Sequence, residues 1–191
     1  MTDPLTESLV EAWLWLRVAD SAWDDPLNPT FAQSHGGRWN PKASFPALYL
    51  NEDLPTAKAQ IHKMLDGSPV TPSDLDDRYV LVVATLPSRQ TVADAVTAAG
   101  VQGLGLPETY PLDASGQVVS RETCQPIGTE IKKKGLRGVH ARSAATPDGT
   151  GQELAWYPAR RSSRATAVGN PIPFSDWWHA DTLAGRRTGS T

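Results

Sequence analysis

Residues 34–50 read SHGGRWNPKASFPALYL. A Gly36–Gly37 pair runs into Arg38, Trp39 and Asn40, and after Pro41 a short apolar strand ends at Tyr49–Leu50. Paired glycines let the main chain take positive φ or approach a neighbour closely. Arg38 offers a planar fork of donors suited to phosphate. Trp39 can pack beneath the loop or stack on a base, and Asn40 before Pro41 is most simply a turn former. Taken alone, the stretch is a tight turn that leads into a strand. With an anionic, ring-containing ligand in view, it is one wall of a pocket. The surrounding chain decides between the two.

Upstream, Leu14, Leu16 and Val18 alternate with Trp15 and Arg17, which predicts a first strand, WLWLRVA. Asp24 to Pro41 is turn-rich, and Ala47–Leu50 is a short strand. A helix is expected from Thr56 to Asp66, capped by Thr56 and stopped at Gly67. Ala57, Ile61, Met64 and Leu65 form its core stripe. At about 100° per residue, Gln60 falls on the edge of that stripe while Lys63 points outward. Tyr79–Leu86 (YVLVVATL) is a continuous apolar run of strand length. Thr91–Ala99 reads as a short helix stopped at Gly100, and residues 101–123 give weak signals. Ile127–Lys134 reads as a helix ended by Gly135, where Lys132, Lys133 and Lys134 complement the helix dipole. Late strands are expected around Val139 and over Leu154–Tyr157. Strands and helices mix without a steady βαβ rhythm, so the class is α+β.

A chain of 191 residues fits one domain and can bury a sizeable core. A net charge of -3 argues against a broad nucleic-acid surface, though not against a local basic pocket. The lone Cys124 leaves no partner for an intrachain disulfide and suggests a reducing compartment. The N-terminus MTDPLTESLVEAW lacks the basic start and apolar run of a signal peptide, and no stretch approaches ~18 apolar residues. A soluble, cytoplasmic protein without direct membrane or nucleic-acid contact is expected. His35, His62, His140 and His179 share no metal-ligand spacing, and no H-E-x-x-H, phosphate loop or G-x-S-x-G elbow occurs, so no metal is expected.

The order of motifs adds a resemblance. LRVAD (16–20), GGRWNP (36–41), ALYL (47–50) and TAKAQIHKML (56–65) are followed by CQPIGTEIKKKGLRGVHARSAA (124–145) and GQELAWYP (151–158). In this order they resemble the RES domain family, the toxin half of RES–Xre toxin–antitoxin pairs. GGRWN followed by Tyr49 is the most specific element. The resemblance divides the chain into an N-terminal extension (1–12), a RES domain (13–160) and a C-terminal extension (161–191). In the last, Trp177 and Trp178 are expected to dock back on the body and the final GRRTGST to be disordered.

The resemblance implies a single-domain fold similar to ADP-ribosyltransferase toxins, with mixed twisted β-sheets flanked by short helices. It implies NAD⁺ as substrate, cleaved at the nicotinamide–ribose bond by hydrolysis or phosphorolysis, and a helix-turn-helix antitoxin of the Xre type as partner. A homodimer is compatible with it. Arg17 and Arg38 would hold the pyrophosphate or a ribose, with Gly37 and Trp39 in the same loop. Tyr49 would flank the nicotinamide, and Ser143 would bond the nicotinamide mononucleotide half. The family Glu falls on the helix after the Tyr, where this chain has Gln60, nearly isosteric but neutral. Glu153, in GQELAW, is the candidate substitute carboxylate. Three outcomes stay open: an NAD⁺-cleaving enzyme, a weak or inactive nucleotide-binding module, and a protein ADP-ribosyltransferase.

Overall fold

The computed structural model describes residues 4–9, 13–75, 78–146, 148–159 and 165–183. Its strands are β1 (Thr6–Ser8), β2 (Trp15–Asp20), β3 (Leu48–Asn51), β4 (Tyr79–Thr85), β5 (Thr91–Ala95), β6 (Gly138–Arg142), β7 (Gln152–Trp156) and β8 (Thr166–Ala167). Its helices are α1 (Thr30–His35), α2 (Leu54–Leu65), α3 (Ala98–Gly103), α4 (Arg121–Lys133) and α5 (Phe174–Trp178), with a 3-10 turn at Pro72–Asp74. The strands join in one mixed sheet, ordered β1-β5-β6-β7-β3-β2-β4-β8. Only β5 and β6 run parallel; the other named pairs are antiparallel.

The alternation in WLRVAD pairs β2 with β4 over six residues, Trp15 opposite Ala84 through Asp20 opposite Tyr79. Successive side chains in a strand point to opposite faces. One face of the sheet therefore carries Trp15, Val82, Leu48, Leu50, Leu154 and Trp156, which pack into a core of their own. The other face is covered by helices. There α2 and α5 pack over Leu16 and Leu81, while α3 and α4 pack over Ala93, Val139 and Ala155. Between those two helical layers lie the middle strands β3 and β7.

Tertiary context moved several elements. Thr91–Ala99, read as a helix, is strand β5 followed by α3. β5 lies between β1 and β6, so Val92, Ala93, Asp94 and Ala95 are all buried and no period-2 pattern survives in the sequence. Gly100 is not a stop but an interior residue of α3, packed on Asp94 so closely that a Cβ would overlap it. Helix α4 begins at Arg121 rather than Ile127, with Ser120 as its N-cap and Pro126 inside it. Helix α2 is capped by Asp53, whose carboxylate accepts from Thr56 N at 2.8 Å, so Thr56 is a first-turn residue and not the cap. Met64 is 48% exposed and outside the core stripe, whereas Leu54 joins Ala57 and Ile61 in it. Phe174 and Trp177 are buried against the α2 side of the core, with Trp178 packed beside them. The GRRTGST end lies outside the described residues.

Candidate active site

The GGRWNP stretch is a loop held from three directions. Tyr49, on β3, accepts from Trp39 N at 2.8 Å through its hydroxyl and donates to Asn40 Oδ1 at 2.8 Å. Asn40 is fully buried and donates from Nδ2 to Ala32 O at 2.7 Å and Phe45 O at 3.3 Å. The presumed turn former is thus a buried hub. From β7's end, Tyr157 donates to Trp39 O at 3.1 Å. From α4, Gln125 Nε2 donates to Gly37 O at 3.0 Å. Gly37 lies against the Tyr49 ring, and a Cβ there would overlap the phenol. The glycine therefore serves close approach to an aromatic.

Arg38 leaves this loop and points under the segment that precedes α4. Its Nη1 donates to Val119 O at 2.6 Å and contacts Cys124 Sγ at 3.9 Å. Burial works against the guanidinium charge, but Tyr110, Glu153 and Cys124 more than offset it and hold its pKa above the ordinary value.

Glu153 comes from β7, opposite Asn51 of β3 and Ala141 of β6. Beyond the end of β6, Ser143 N donates to Gly151 O at 2.8 Å, which extends the pairing by one step. That step sets Ser143 Oγ beside the carboxyl, where it donates to Glu153 Oε2 at 3.1 Å. Burial pushes the Glu153 carboxyl upward, against the pull of the Arg38 charge and of the Ser143 and Trp39 donors. Burial likewise raises Tyr49 and Cys124, so both stay neutral near pH 7.

Tyr49, Asn51, Glu153 and Ser143 therefore share the helix-covered face, with Arg38 reaching in from the loop. Gln60 stands at the rim: it is exposed on α2, and its Oε1 accepts from Asn51 Nδ2 at 2.8 Å. Asn51 thus separates Gln60 from Glu153 by one strand position. Arg17 has a different place. It follows Leu16, the register partner of Asn51, and so points to the opposite face. Its Nε donates to Pro26 O at 2.7 Å and its Nη1 to Tyr49 O at 2.9 Å. Burial brings it down to about 10, with Asp25 opposing, so it remains charged at neutral pH. Arg17 braces the backbone of Tyr49 from behind.

Two groups in this cluster had no sequence signal. Tyr110 lies in the weakly patterned 101–123 segment, yet it is fully buried with its ring 5.9 Å from Trp39. Cys124 has no neighbour in sequence that would mark it, and only the fold puts Arg38 against it. Asn51 and Gln125 gained their places in the same way. An open hollow of about 450 Å³ beside α4 is lined by Pro41, Glu122, Gln125, Pro126, Thr129 and Glu130 and includes neither Ser143 nor Glu153. Among the described residues, no group of three or more His, Cys, Asp or Glu could hold a metal ion. None of the described helices is long and apolar enough to cross a membrane.

A mixed sheet with an arginine-bearing Gly-Gly loop beside a fully buried Ser143 and a partly buried Glu153 defines an α+β protein with a polar cluster on one face. The chain belongs to the RES domain family, whose RES domain matches residues 14–183. Its fold is similar to that of a chain in the crystal structure of the M. tuberculosis MbcT–MbcA toxin–antitoxin complex. The TM-score is 0.70 at 21% identity, over 91% of this chain and 90% of that one. No curated protein matches the chain.

Proposed function

We propose that this chain binds NAD⁺ against the Glu153 face of the sheet and cleaves its nicotinamide–ribose bond. The observation that carries this reading is the Ser143–Glu153 pair on the sheet face into which Arg38 reaches. Heterolysis of that bond sends the electron pair to nicotinamide, which leaves neutral, while positive charge grows at C1′ and the ring oxygen. A preorganised carboxylate stabilises such a state, and a phosphate-seeking guanidinium positions the dinucleotide. Water then adds at C1′ and loses a proton, giving ADP-ribose; phosphate in its place gives the 1-phosphate. Glu153 must be ionised to act, and the cationic nicotinamide ring of the substrate favours that form. Gln60 is neutral and already engaged by Asn51, so the carboxylate role falls to Glu153.

The test is incubation with NAD⁺ while following free nicotinamide. Release well above a protein-free blank supports the enzyme. Saturable NAD⁺ binding without release supports the second reading, a nucleotide-binding module, which the uncharged Gln60 rim favours. Label from NAD⁺ that ends on a macromolecule would instead identify a protein ADP-ribosyltransferase.

We further propose that the chain is the toxin of a toxin–antitoxin pair, with an Xre-type helix-turn-helix protein as its antitoxin. The RES domain and the fold shared with a chain of the MbcT–MbcA complex support this. Growth arrest on expression alone, relieved by co-expression of a small helix-turn-helix protein encoded beside it, is the expected result. Unimpaired growth on expression alone would remove the toxin reading.

A further inference from the structure

Helix α1 carries Phe31 and His35 four positions apart, the spacing that sets two side chains on one helix face. Their rings stack at 4.3 Å with 21° between planes, and His35 Nδ1 lies 3.0 Å from Phe31 O. A carbonyl only accepts, so Nδ1 is the donor, and this bond holds the imidazole over the phenyl ring. Trp23, in the turn-rich segment after β2, meets Phe31 at 5.0 Å and 34°. The Arg17 guanidinium lies 5.6 Å from the Trp23 ring and is itself fixed by the Pro26 and Tyr49 carbonyls. The four groups form a series, Arg17, Trp23, Phe31, His35, that runs from a buried cation to an exposed imidazole.

Core packing does not account for this series. Aromatic rings that serve the core are buried, as Trp39, Tyr110 and Tyr157 are, whereas Phe31 is 48% exposed. Among the described residues it is the one aromatic in the set of exposed large apolar side chains, and it is stacked rather than isolated. From His35 the chain runs straight into Gly36, Gly37 and Arg38. Gly36 takes a φ of 79° and lies against the backbone of Lys42, an exposed residue. The open end of the stack therefore adjoins a loop that carries two cations, Arg38 and Lys42. A flat aromatic platform beside a cationic loop matches the two ends of a nucleotide, a base that stacks and a phosphate that attracts positive charge.

We propose that Phe31 and His35 are the stacking platform for the purine base of a bound nucleotide. That this base is the adenine of NAD⁺ rests on the reading above; the stacking itself does not depend on cleavage. The platform contributes affinity and orientation, since every base has a π-face to offer and none of the bonds that react lies in it. Single-stranded nucleic acid also stacks on exposed rings, but it needs a basic groove along its backbone. The net charge of -3 favours the small nucleotide.

The test titrates AMP by calorimetry into the full chain and into Phe31→Ala, Phe31→Trp and Met64→Ala. Met64 is also 48% exposed but lies on α2, so its variant controls for loss of exposed apolar surface. Phe31→Ala should weaken AMP binding about ten-fold, as for loss of one base–ring stack, while Phe31→Trp and Met64→Ala keep it. Ribose 5-phosphate, which lacks the base, should not distinguish Phe31→Ala from the wild type. A second measurement needs no variant: AMP should move the His35 ring-proton resonances upfield, and ribose 5-phosphate should not. AMP affinity indifferent to Phe31, unmoved His35 resonances, or no measurable AMP binding by the wild type overturns the platform. A single-stranded oligonucleotide bound through Phe31 more tightly than AMP overturns the nucleotide assignment. AMP holds no nicotinamide. Absence of nicotinamide release from NAD⁺ therefore removes the cleavage reading alone, and AMP affinity indifferent to Phe31 removes the platform alone.

Discussion

Ser143 Oγ donates to Glu153 Oε2 across 3.1 Å, at the point where β6 and β7 finish pairing. One hydroxyl and one carboxyl ten positions apart in the chain become neighbours because Ser143 N bonds Gly151 O one step past the ladder. That contact ties the Glu153 carboxyl to a strand end.

The first prediction concerns which residue carries the negative charge. Glu153→Ala should lower nicotinamide release by on the order of 10²–10³, as loss of a preorganised electrostatic group does. Gln60→Ala should leave release near wild type, since Gln60 is exposed and bonded to Asn51 rather than to Ser143 or Glu153. The opposite pattern would return the role to α2. Ser143→Ala should fall between and move the acid limb of the rate profile to higher pH, because the lost donor favoured ionised Glu153.

The second concerns stability against pH. The folded-state pKa of Glu153 is raised by burial, so in the window between the ordinary carboxylate value and the raised one the native state binds more protons than the unfolded chain. Stability contributed by this site is therefore greatest below that window and is lost as pH rises through it. Glu153→Gln should raise Tm at neutral pH, and the gain should vanish at acid pH. A Tm difference that is flat across the range would contradict this sign.

The third tests the α4 contact. Gly128→Ala puts a methyl into the Trp39 carbonyl, where only backbone can yield, and should cost about 1–3 kcal/mol in urea unfolding. Gly103, also helical but with open space around its Cβ position, is the control: Gly103→Ala should be neutral or stabilising by up to about 1 kcal/mol.

The fourth separates support from ligand contact at Arg17. Lys cannot span both the Pro26 and Tyr49 carbonyls, so Arg17→Lys should destabilise by about 1.5–3 kcal/mol. ADP-ribose affinity of the folded variant, measured by calorimetry, should stay near wild type, because Arg17 points away from the Glu153 face. A ten-fold loss in affinity would instead place Arg17 on the ligand.

Much of this was legible in the chain. The strands over 15–20, 48–51 and 79–85 announce themselves by alternation or by apolar runs, and the GGRWNP loop carries its own signature in two glycines and a cation. These are local properties, set by side-chain period and backbone freedom, and they suffice for the α+β class and for Arg38 as an anion contact; Tyr49, Ser143 and Glu153 became candidates only through the resemblance of the motif order to the RES domain family. Local signals failed where burial on both faces erased the period, as in β5. They also failed where helix α4 ran through Pro126 from a cap that only Ser120 could supply.

What the tertiary structure alone decided is the partnership of these residues. No spacing in the sequence says that Arg17 and Glu153 lie on opposite faces, because that depends on the register of β2, β3 and β7. Nor does any spacing bring Tyr110 and Cys124 to Arg38. Register and burial are collective quantities, fixed by how strands pair and helices cover them. They turn the cation of GGRWNP and a Glu over a hundred positions further on into one electrostatic unit.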